Sequence, residues 1–88
     1  MNVTLHPNAL KHLSREQVLQ AWGSVTKSVR RISNDDPARW LMIGFLDNGA
    51  SVELIAVETV RGWLIIHAMT PVQKKFAEEI RKVERRAR

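Results

Sequence analysis

Two apolar runs joined by Asp47-Asn48-Gly49 constrain this chain more than any other feature. Arg39 to Phe45, RWLMIGF, stands before the triplet and Ser51 to Thr59, SVELIAVET, follows it. Asn-Gly supports the positive φ values of a tight hairpin turn, so the two runs are expected to pair as antiparallel strands. Val60-Arg61-Gly62 makes a second turn and brings in Trp63 to Ala68 as another strand. A parallel crossover needs about a dozen residues, which neither link supplies. Upstream, Asn34-Asp35-Asp36-Pro37 is a turn by composition. It follows Thr26 to Ser33, where Val29 and Arg31 alternate with Arg30 and Ile32 as in a strand. The expectation is a four-stranded antiparallel meander.

Helical signals flank these strands. His6 to His12 reads as one to two helical turns, with Pro7 at the first position, where its missing N–H costs nothing. Ser14-Arg15-Glu16-Gln17 is a capping box that opens a second helix. Val18, Leu19, Trp22 and Val25 share one face of that helix, which should end near Gly23 or Ser24. Thr70 is a good N-cap for a helix restarted by Pro71, and Val72, Phe76, Ile80 and Val83 form a single apolar stripe. The predicted architecture is a two-layer α+β domain. It has two short N-terminal helices, the meander sheet and a basic C-terminal helix packed on that sheet. Residues 1–88 are read as one domain, with residues 85–88 as a tail that a partner would order. A domain this small buries only about 60–65% of its unfolded surface, so a partner or oligomerisation would add useful stability.

The chain has no cysteine, which excludes disulfides, zinc–thiolate sites and cysteine nucleophiles. Its three histidines are scattered and lack the carboxylate spacing of a zinc site, and its glycine-containing turns do not form a phosphate-binding loop. No cofactor is expected. The N-terminus lacks a basic n-region and a long apolar run, and no apolar stretch reaches membrane-spanning length. A cytoplasmic protein without a membrane partner is expected.

The formal net charge is +5 with histidines neutral, and it is unevenly placed. Residues 1–73 hold seven Lys/Arg against six Asp/Glu, whereas residues 74–88 hold seven Lys/Arg against three Glu. Such a field favours nucleic acid, a phosphate or an acidic protein segment, and separates none of the three.

Individual residues carry two readings each. His12, beside Lys11, is either a surface or capping histidine or a group lining a basic cleft and touching phosphate or a 2′-hydroxyl. His67, in LIIHAM, shares a face with Ile65 and Met69 by alternation, and is either a half-buried structural residue or a proton-transfer group. His6 is read as an exposed or N-capping residue. Arg39 either stabilises charge on a phosphorane-like transition state or pairs with Asp36 or Glu53. Of Arg30 and Arg31, only one can join a common patch, because neighbours in a strand point to opposite faces. On the last helix, Lys74, Arg81, Arg85 and Arg88 can cluster on one side. Glu78 is spaced to pair with Lys74 and Lys82, and Glu79 with Lys75. Trp22, Trp40 and Trp63 are expected as core or interface anchors, with Trp63 the most exposed.

One ordered set of short motifs resembles a known family. Lys11-His12, Ser14 opening a helix, Asp35-Asp36-Pro37-x-Arg39-Trp40-Leu41-x-Ile43-Gly44, Gly49-x-x-x-Glu53 and Ile65-Ile66-His67-Ala68-Met69 look like the BrnT-like toxins of bacterial type II toxin–antitoxin systems, relatives of the RelE-type ribonucleases. The resemblance spans roughly residues 6–76. It implies a small α+β domain with a meander sheet, metal-independent cleavage of RNA, a protein antitoxin as partner, and operator DNA reached through that antitoxin. His12, Arg39, His67 and Lys74 would be the catalytic residues, and Lys11, Arg31, Lys75, Arg81 and Arg85 the nucleic-acid contacts. Two departures stand out: Leu13 replaces the glycine that usually follows Lys-His, and Met69 to Phe76 lacks the family's arginine and its lysine–tyrosine pair. A non-catalytic binding module, a homodimer and direct DNA binding through the C-terminal helix are the competing expectations.

Overall fold

The structure, a computed structural model, describes residues 2–86. Strand β1 (Val3–Leu5) leads into a 3₁₀ turn (Pro7–Leu10) and helix α1 (Arg15–Gly23). Strands β2 (Lys27–Arg30), β3 (Arg39–Phe45), β4 (Ser51–Thr59) and β5 (Gly62–Met69) follow, and helix α2 (Lys74–Arg86) comes last. One mixed sheet results, in the order β1-β5-β4-β3-β2.

The β2–β5 meander is antiparallel as expected, but the sheet has five strands rather than four. The additional strand, β1, runs parallel to β5, pairing Val3 with Trp63 and Leu5 with Ile65. Gly62 admits it: its φ is +125°, and a Cβ there would collide with the carbonyl oxygen of Asn2, the group that accepts the Trp63 N–H at 2.9 Å. The first predicted helix is a single 3₁₀ turn, with Pro7 in its first turn and His6 as its N-cap.

The capping box is present in both directions: Ser14 Oγ accepts the Gln17 N–H at 3.2 Å and Gln17 Oε1 accepts the Ser14 N–H at 2.9 Å. Helix α1 ends at Gly23 with Ser24 as its C-cap. The Asn48-Gly49 turn forms the β3–β4 hairpin with one change from expectation. Only Gly49 has positive φ, and Leu46 N–H donates to Ala50 O while Gly49 N–H donates to Leu46 O, both at 2.9 Å. This is a three-residue loop closed by a glycine bulge rather than a two-residue turn. Helix α2 begins at Lys74, not at Pro71, because the Val72 and Gln73 N–H groups that a Thr70 cap would accept donate instead to Ser51 Oγ at 3.0 Å and Glu53 Oε1 at 2.8 Å.

The layers also differ from the two-layer expectation, since the helices cover opposite faces of the sheet. Val52, Leu54 and Ala56 of β4 pack with Met42, Ile65, Ala68 and the α1 residues Val18 and Ala21. The alternate residues Leu41 and Ile55, with Val29 and Ile43, meet Phe76 and Ile80 of α2. Helix α1 approaches β3 so closely that a Cβ on Gly44 would collide with the Ala21 carbonyl. The three tryptophans are half-buried on the α1 side, with the Trp63 ring tilted against Trp22 at 5.7 Å and edge-on to Trp40 at 6.2 Å.

Candidate functional site

Strand β5 breaks its alternation at one residue. Ile55 pairs with His67 but the next residue, Ala56, pairs with Ile65, so Ile66 is an extra residue in a bulge. The expected shared face of His67 and Ile65 therefore does not form. Ile65 and Ala68 both enter the α1-side core, while His67 turns to the α2 side with Ile55.

On that side, α2 covers Val29, Leu41, Ile43 and Ile55, and the sheet towards β5 carries an open depression of about 300 Å³. His6, Asn8, Arg39, Ile55, Ile66 and His67 line it. Arg39, paired with Val57 two strands from β5, reaches it from the start of β3. His6 reaches it from the end of β1, where its N–H donates to Ile65 O at 2.9 Å.

Two hydrogen bonds orient the imidazoles. His67 Nε2 lies 2.8 Å from Oε2 of Glu53, which is only 5% exposed. The other carboxylate oxygen accepts the Gln73 N–H at 2.8 Å, tying β4 to the start of α2. Since an ionised carboxylate only accepts, His67 donates through Nε2, and in the neutral ring Nδ1 carries the lone pair. The opposite tautomer holds at His6, whose Nδ1 accepts the Asn8 N–H at 3.0 Å and leaves the proton on Nε2. With these hydrogen bonds kept, the uncharged form of one ring has an acceptor to offer and that of the other a donor.

Arg39 is loosely held. Its Nε is 3.6 Å from Asp35 Oδ2 rather than paired with Asp36 or Glu53, and both side chains are 42% exposed. The guanidinium can turn to an anion in the depression with little loss, since such exposed pairs are worth about 0–1 kcal/mol.

Arg39 and His67 are therefore brought together, and the other expected site residues lie elsewhere. Lys11 and His12 are exposed in the connection before α1, and Lys74 is exposed at the first residue of α2; none lines the depression. Arg31 is engaged with Glu79 in a two-pronged pair, Nε to Oε2 at 2.7 Å and Nη2 to Oε1 at 3.1 Å. Lys75, Arg81 and Arg85 sit along the outer side of α2 with Glu78, Glu79 and Lys82. Within α2 the expected Glu–Lys spacings do not close among the described residues: Glu79 goes to Arg31 and Glu84 to Lys27 at 3.1 Å. Arg88 lies outside the described residues. No group of three or more His, Asp or Glu side chains suited to a metal converges among the described residues, and no helix there is long and apolar enough to cross a membrane.

Sequence reading missed the role of Glu53 towards His67 and gave His6 no place in a site. A carboxylate inside the apolar stretch VELIAV was the available signal for Glu53, because a buried carboxylate needs partners. Comparison with known proteins found no matching family model, no matching curated protein and no matching solved structure.

Proposed function

We propose that this chain is a toxin-type endoribonuclease of BrnT-like character, acting in the cytoplasm without a metal and held in check by a protein antitoxin. The observation that carries the chemistry is the convergence of Arg39 and a Glu53-held His67 on one open depression. In this reading His67 Nδ1 takes the proton of an RNA 2′-hydroxyl. The 2′-oxygen then attacks the adjacent phosphorus and the bond to the 5′-oxygen breaks, with water protonating the leaving oxygen. Arg39 and the neutral His6 Nε2–H stabilise the negative charge that develops on the phosphoryl oxygens. The products are a 2′,3′-cyclic phosphate and a 5′-hydroxyl end.

A second reading, a binding module without chemistry, draws on the distance of Lys74 and His12 from this depression and on the unabsorbed basic side of α2. Cleavage of a mixed RNA pool in EDTA separates the two. The ribonuclease reading expects product from the wild type and a loss of about 10²-fold or more in both Arg39→Ala and His67→Ala, each with an unchanged circular dichroism spectrum. Absence of cleavage by folded protein on free RNA and on ribosomes would sink the ribonuclease reading and leave the binding module.

A further inference from the structure

Strand β2 is an edge of the sheet. The Arg31 N–H donates to Arg39 O at 2.8 Å, so in the antiparallel ladder Arg31 and Val29 turn their backbone groups towards β3. Ser28 and Arg30 then direct theirs away from the sheet, and both residues are exposed. An edge of this kind is a template for one more strand.

The two faces beside this edge differ in chemistry. On the α1 side an apolar groove of about 340 Å³, lined by Trp22, Val25, Met42 and Trp63, opens at Ser28. On the α2 side Lys27, Arg81 and Arg85 surround a depression of about 390 Å³ whose one carboxylate, Glu84, is already paired with Lys27.

We propose that β2 accepts an extended segment of a partner protein as a sixth strand, and that this segment alternates apolar and acidic side chains. Successive side chains of a strand point to opposite faces. One set would meet the tryptophan groove and the other Arg81 and Arg85, while the peptide groups of Ser28 and Arg30 supply the ladder. A second copy of this chain is a poor occupant, because pairing β2 with β2 lines the Lys27 and Arg30 cations of one copy along those of the other. Arg81 and Arg85 beside the edge instead favour an acidic guest. The proposal does not rest on the ribonuclease reading, and none of its residues lines the Arg39–His67 depression.

The test uses a short blocked peptide alternating valine or leucine with glutamate. Its controls are a scrambled peptide of the same composition and a peptide with lysine for glutamate. Tryptophan emission reports binding, and hydrogen exchange reports protection of the Ser28 and Arg30 amides. The glutamate peptide is expected to bind, protect both amides, and outcompete each control by about tenfold or more. The double variant Arg81→Glu/Arg85→Glu should reverse the preference towards the lysine peptide. Ser28→Pro, which deletes an outward donor at an edge position where proline is tolerated, should abolish binding by folded protein. Failure of the glutamate peptide to bind, equal binding of the scrambled peptide, protection at β1 instead of β2, or an unchanged preference in the double variant would each overturn the proposal.

Discussion

On the α1 side of the sheet β4 presents Val52, Leu54 and Ala56, all fully buried, whereas on the α2 side the same strand presents Glu53 followed by Ile55 and Val57. The first set packs into an apolar cluster with Val18, Ala21 and Ile65. The second carries a carboxylate with two hydrogen bonds, one to an imidazole and one to the backbone that starts α2. Both faces come from one strand, so the difference lies in what each helix leaves uncovered. Helix α1 and the 3₁₀ turn cover Val52, Leu54 and Ala56 with an apolar cluster, and the opening they leave towards β2 is the apolar tryptophan groove. Helix α2 binds its face through a narrow stripe, Phe76 and Ile80, plus ion pairs from β2, and an open depression remains towards β5. The α1 face is the side that supplies stability, and the α2 face is the side with room for polar chemistry.

Substitutions can break this contrast. The largest effect is expected at Gly44, where any side chain meets the Ala21 carbonyl. Gly44→Val should push α1 off β3 and cost about 3 kcal/mol or more, read as a fall in the urea midpoint. Leu54→Ala, which hollows the closed face beneath α1, should cost about 2–5 kcal/mol, with RNA cleavage per folded molecule unchanged. Equal losses of stability and specific activity in that variant would show that the two faces are not separable.

Glu53→Gln tests the polar face. The amide oxygen can keep the Gln73 N–H, but the amide nitrogen then donates towards His67 and favours the tautomer with its proton on Nδ1. Cleavage should fall by about 10²-fold while stability drops by about 1–3 kcal/mol. A variant as active as the wild type would remove Glu53 from the site. The smallest effect is expected for Arg31→Ala, which unclips β2 from Glu79 of α2. With both partners partly solvated, about 0.5–1 kcal/mol should be lost in thermal unfolding, and cleavage should be little changed if Arg31 does not touch RNA. A large loss of RNA affinity at unchanged stability would instead return Arg31 to the nucleic-acid contacts.

The α1 cap and the hairpin turns were legible in the chain because their causes are local, whereas the cap expected at Thr70 gave way to contacts with β4. Ser14 and Gln17 bond to each other's backbone whatever the rest of the fold does, and Gly49 supplies a positive φ that other residues resist. Strand β1 was not legible: three residues, Val-Thr-Leu, are too few to show a period, and they are held by Gly62 far along the chain. The bulge at Ile66 was hidden for a related reason. LIIHAM is apolar almost throughout, so nothing in its pattern marks where the phase changes. Arg39 and His67 could be singled out as reactive types, but their meeting depends on that phase change and on two intervening strand pairings.

The β2–β5 hairpins, the α1 cap and the apolar stripe of α2 are written in the chain, since each follows from contacts or periodicities within a few residues. Tertiary structure alone decided that the helices lie on opposite faces, that β1 joins in parallel, and that His67 turns away from Ile65 to rest on Glu53. Those outcomes depend on filling the two faces of one sheet and on giving a buried carboxylate its partners, and both are settled between residues far apart in the chain.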